Sequence, residues 1–292
     1  MGPHEIEEIV VGADSLAAGI RKYFIAKLAD VAMSQFHGDL SGHVARFVLE
    51  RQTEALRSAV VLARGSSGHL ALPFVRLACE ERIWVSYLFS LEREPRDQLL
   101  LLMSMLESGT AIGAQQQFFG ANTMKRLGFP KSFVNEQHRL GQRSKAELSR
   151  VGRALGWPEP DGRLPSAGWI ASQVKLDRLY AYLYSASSKG VHFSPPEALR
   201  SGWSSGAAAD SKVTLMAEPY VNYRTAFSVY WLSKLLVETV GEIWESGPLA
   251  GVEFDDEAQD LITVAVGRIG SMGQLPIVLA SEYNLSTDGR AR

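Results

Sequence analysis

The sequence predicts an all-α protein, a single multi-helix bundle of roughly eight helices followed by a flexible C-terminal tail. Two observations carry this expectation. Apolar residues recur every three or four positions along most of the chain, which puts them on one face of a helix. Residues that favour helix starts and stops also fall at the ends of those stretches. A hydrophobic fraction of 46% supplies enough apolar side chains for one sizeable core.

Asp14 and Ser15 can cap a first helix that carries Leu16, Ile20, Phe24, Leu28 and Val31. Gly38 interrupts it. Ser41 can open a second helix with Val44, Phe47, Val48, Leu56 and Val60, ending near Gly65, where glycine tolerates the left-handed conformation. Pro73 suits the first turn of a third helix running to about Leu91. A fourth follows Pro95; its run Leu99 to Met103 is apolar all round, so it is expected to be central and buried. The fifth, from Pro130 to about Leu155, is the most polar, with Arg139, Arg143, Lys145, Glu147 and Arg150, and reads as a solvated face. Three prolines mark the loop from Gly156 to Gly168, and a sixth helix runs from about Trp169 to Ser188. Ser194 to Glu197 has capping-box spacing for a short helix, and Ser201 to Lys212 reads as a mobile loop before a brief extended stretch, Val213 to Met216. Long helices close the chain, from about Pro219 to Trp244 and from Asp255 to Ile269. The expected organisation is a helical domain over 1–270 and a partly disordered tail over 271–292.

Thirty basic and 32 acidic side chains give a formal charge of -2, which argues against a whole surface built to follow phosphate backbones, although a local basic patch remains open. Duplex DNA is not an expected partner. Cys79 is the only cysteine, so no intramolecular disulfide and no cysteine-ligated zinc can form. The N-terminal residues carry Glu5, Glu7 and Glu8 and lack a signal-peptide pattern, and the longest apolar run is far too short for a bilayer. The expected location is the cytoplasm.

No phosphate-binding loop, dinucleotide fingerprint or His-Glu-x-x-His occurs. Gly202-Trp203-Ser204-Ser205-Gly206 matches Gly-x-Ser-x-Gly only in letters, because a nucleophile elbow needs a strand before the serine. His37, Asp39 and His43 surround the first interhelical turn, but their spacing fits no common metal site. Neither a metal nor a cofactor is expected. Arg64 and His69 have the Arg-x4-His spacing of HEPN ribonucleases, which that resemblance would assign to phosphate clamping and acid–base work. Gly65 stands where that family carries a polar residue, and a polar interhelical turn explains the same letters.

Arg76 and Glu80, four apart among Phe74, Leu77, Ile83 and Trp84, share a helix face, and Ser188 and His192 are also four apart after Tyr180, Tyr182 and Tyr184. With these segments the chain resembles an uncharacterised group of bacterial helical proteins, catalogued only as a domain of unknown function. The resemblance implies that the Arg-Glu helix and the Ser-His segment pack together, and it implies no activity. One reading makes Arg76, Glu80, Tyr184, Ser188 and His192 a hydrogen-bonded cluster that fixes helix register. The other makes them a pocket in which Arg76 binds an anion, Glu80 orients, and His192 is the acid or base; a nucleotide or phosphorylated small molecule is its natural ligand class, and RNA is the ligand of the ribonuclease reading.

The functional expectation is a binding or interaction protein that self-associates into a homo-oligomer. Its setting, bacterial stress or phage defence, is expected from the company such helical families keep. A metal-independent, HEPN-like ribonuclease or a nucleotide-binding protein is the alternative.

Overall fold

Helical periodicity carries through to the three-dimensional structure, a computed structural model that describes residues 3–29, 40–191, 218–253, 256–271 and 275–277. Among these residues there are nine α-helices and no strand. They are α1 (Pro3–Gly19), α2 (Ser41–Arg64), α3 (Leu72–Ser90), α4 (Arg93–Arg126), α5 (Lys131–Ala154), α6 (Ala167–Gln173), α7 (Asp177–Val191), α8 (Glu218–Glu245) and α9 (Asp256–Ser271).

The first helix starts at Pro3, well before the expected cap. Its apolar stripe extends backwards through Val10 and Ala13 to Ile6 and Ile9. Ser15 lies inside the helix, and its hydroxyl donates to the Val11 carbonyl at 3.0 Å. A π-helical segment, Ile20–Ile25, then buries Ile20, Phe24 and Ile25 together. At the end of α2, Gly65 keeps φ at -88° and Ser66 takes the left-handed conformation at φ 58°. Phe47 sits outside the buried stripe and covers the Arg51 guanidinium, 5.1 Å away. A short 3-10 turn, Gly68–Ala71, leads into α3, where Pro73 occupies the first turn as expected. The expected sixth helix is two: Ser166 caps α6 through a 3.2 Å bond from the Trp169 N–H, and Lys175 at φ 60° separates α6 from α7.

The central helix is α8. It packs on α1, α2, α3, the 3-10 turn and α9, and its side chains from Ala226 to Ile243 are mostly buried. Arg82 of α3 donates to Glu242 of α8 at 2.9 Å, and Ser86 donates to the same carboxylate oxygen at 2.9 Å, fixing the register of the two helices.

The expectation that the fourth helix is central is corrected. Among the described residues, helices α4 and α5 pack extensively on each other and barely on the rest, and form a projecting two-helix arm. Leu99, Leu102, Leu148 and Val151 at its base join the main core. Met124 and Val134 near its tip are buried apart from that core. The crossing is tight: a Cβ on Gly109 would lie 3.3 Å from the Gly141 Cα. An apolar segment marks burial against something, but periodicity cannot say which partner supplies the burial.

The arm's return loop is pinned by Trp157, which is buried beside Gly152 and Tyr87. Most of the C-terminal tail lies outside the described residues. Leu275 and Pro276 are described: their carbonyls accept the Tyr182 and Tyr223 hydroxyls, so this short piece is seated on α7 and α8.

Candidate functional site

Helices α3 and α7 pack together and bring Arg76 and Glu80 to the tyrosines. Arg76 Nε donates to Glu80 Oε1 at 2.9 Å. The guanidinium lies over the Tyr184 ring, 4.7 Å from its centre, and the Tyr180 and Tyr184 rings are 5.4 Å apart. The Arg76 and Glu80 side chains are 25% and 33% exposed, so the pair is neither sealed in the core nor loose in water. The hydrogen bond that Arg76 donates to Glu80 raises the Arg76 pKa further, and burial raises that of Tyr180. This patch can hold a planar group against the tyrosines or meet a small anion at the edge of the guanidinium. Ser188 is half-buried on the same helix as Tyr184. His192 lies outside the described residues, as do His37, Asp39, the Ser194–Glu197 segment and the Gly202–Gly206 pentapeptide.

Arg64 and His69 stand at the polar turn between α2 and α3. Arg64 donates to Asp14 at 2.8 Å on α1, with both side chains about half exposed. His69 is half-buried, its Nδ1 is buried without a hydrogen-bond partner, and burial lowers its pKa and favours the neutral ring. Among the described residues, no cluster of three metal-ligating side chains occurs.

Three polar features had no clear signal in the sequence. Glu81 of α3 is only 12% exposed, and Arg51 Nε is 2.9 Å from its Oε1. The Arg51 N–H is not aimed at that oxygen, and neither carboxylate oxygen accepts an aligned hydrogen bond. Desolvation therefore outweighs the pull of Arg51 and the Gln52 amide, and the Glu81 pKa rises to about 7. Cys79 is buried, and desolvation pushes its thiol to about 12. A cavity of about 740 Å³ opens between α1, α8 and α9, with Glu7, Glu8, Tyr230, Ser233 and Arg268 in its walls. Only the tertiary packing creates it.

One family model, described as a family of unknown function (DUF5677), matches residues 42–206, more than half of the chain. The chain belongs to the DUF5677 family. No curated protein and no solved structure matches it. The DUF5677 region spans α2 to α7, and so takes in the arm, Arg64, His69 and the Arg76–Glu80–Tyr184 patch. Helices α1, α8 and α9, and the cavity between them, lie outside the matched region.

Proposed function

We propose that this DUF5677 protein is a non-enzymatic interaction protein that self-associates through the outward face of α4. One observation carries the reading. Between Gln98 and Met124, α4 has a single charged side chain, Glu107, yet among the described residues α5 alone covers it substantially. Leu101 is 50% exposed, and Met105, one turn on, is exposed as well. A helix with so few charges is normally buried on more than one side. Pairing two arms would bury the second side in a four-helix bundle and leave the charged face of α5 in water. A two-helix face roughly 20 Å wide and about 40 Å long offers about 800 Å², one partner's share of a standard interface.

The interaction reading is preferred to the ribonuclease alternative because Arg64 is engaged by Asp14 and His69 presents a buried, unpartnered Nδ1. Light scattering coupled to size exclusion tests it. The expected mass is that of a dimer, and the double substitution Leu101→Glu, Met105→Glu is expected to give a folded monomer. A wild-type monomer at tens of micromolar would overturn the reading.

A further inference from the structure

The net charge of the chain averages two regions of opposite sign. Residues 93–154, the arm, hold ten basic and five acidic side chains, a net +5. The remainder holds 20 basic and 27 acidic, a net -7. The excess is concentrated on α5, where Arg139, Arg143, Arg150 and Arg153 fall at i, i+4, i+11 and i+14 and share one exposed face. Glu136 and Glu147 pair with Arg139 and Arg150. Lys131, Arg143, Lys145 and Arg153 make no ion pair among the described residues.

The stripe continues to the tip of the arm. From Ser108 to Asn135 there is no acidic residue, but there are Lys125, Arg126, Lys131 and four phenylalanines. Phe118 is 83% exposed; Phe119 and Phe133 are exposed too. The Phe118 and Phe119 rings meet edge to face with centres 4.9 Å apart. Large aromatic side chains held in water beside cations are unfavourable for the isolated protein unless a partner covers them.

We propose that the α5 face and the aromatic tip of the arm form a binding surface for single-stranded nucleic acid. The arginines of this face, with Lys131 towards the tip, extend over about 33 Å and neutralise successive phosphates, while exposed phenylalanine rings stack on unpaired bases. A basic, aromatic tip also suits an anionic membrane, but a membrane touched by the tip would leave Arg143, Arg150 and Arg153 unused. A charge stripe running the length of a helix fits a linear polyanion better. The cations of this surface lie on α5 and its Phe118 lies thirteen residues beyond Met105 on α4, so the two readings are tested by different substitutions.

Fluorescence anisotropy with a labelled oligouridine of about 20 nucleotides in about 50 mM salt tests this with the full chain. Binding is expected to weaken steeply with added salt. The triple reversal Arg143→Glu, Arg150→Glu, Arg153→Glu is expected to weaken it at least about tenfold and to flatten the logarithmic salt slope by about 2. Phe118→Ser is expected to weaken it several-fold with the slope unchanged. All of these side chains are exposed, so circular dichroism should match wild type; a triple Gln variant at the same positions, expected to lie between wild type and reversal, serves if the reversal unfolds. No binding by the wild type, or equal binding by the reversal variant, overturns the proposal. Co-sedimentation with phosphatidylserine vesicles without oligonucleotide binding also overturns it, in favour of a membrane.

Discussion

The Trp157 indole N–H donates to the buried Tyr87 hydroxyl at 3.0 Å, and this bond fastens the return loop of the arm to α3. Tyr87 also meets Trp84 and Trp169 edge to face, with ring centres 6.1 and 6.0 Å away. The arm therefore leaves the body through an aromatic joint rather than a free hinge.

Trp157→Phe keeps most of the apolar volume but strands the Tyr87 hydroxyl. The expected cost is about 1–3 kcal/mol, seen as a fall of several degrees in Tm. Tyr87→Phe should cost a similar amount, and the double variant less than the sum. Strict additivity would mean the bond contributes nothing.

Glu81 makes stability depend on pH. Its folded pKa is raised from 4.5 to about 7, so the fold favours the protonated acid. That stabilisation is fully present below about pH 4.5 and is lost as pH rises through about 7. The change is on the order of 3 kcal/mol at most, from 1.36 kcal/mol per unit. Urea titrations of Glu81→Gln, compared with wild type from pH 4.5 to 8, should show an increasing advantage for the variant. A constant difference across that range would contradict the burial argument.

The Arg76–Glu80 pair is partly solvated, so its removal should be mild. Glu80→Ala is expected to cost about 1 kcal/mol or less, in line with a partly exposed i,i+4 pair plus the stacking on Tyr184 that it orients. A loss above about 3 kcal/mol in chemical denaturation would restore the view that the cluster fixes helix register.

Cys79 should be unreactive. Its buried thiol, pushed to about 12, holds almost no thiolate at neutral pH. A thiol-reactive chromophore should label it only after guanidinium unfolds the chain. Fast labelling of the native protein would show that α3 opens readily.

The apolar spacing by itself determined the fold class and most helices: the second, third, fifth and last two match α2, α3, α5, α8 and α9 closely. It also put Arg76 and Glu80 on one face, because an i,i+4 relation is local and survives any packing. Which helix is central was decided by tertiary structure. Leu99–Met103 and α8 are both rich in apolar residues, yet among the described residues α8 is enclosed on all sides and Leu101 is left 50% exposed. The Arg76–Tyr184 stacking, the raised pKa of Glu81 and the projection of the basic segment 93–154 as an arm were decided there too. The physical reason is the same in each case. Periodicity records which side of a helix avoids water, whereas the identity of the covering group, the solvent it excludes and the charges it gathers depend on residues distant in sequence.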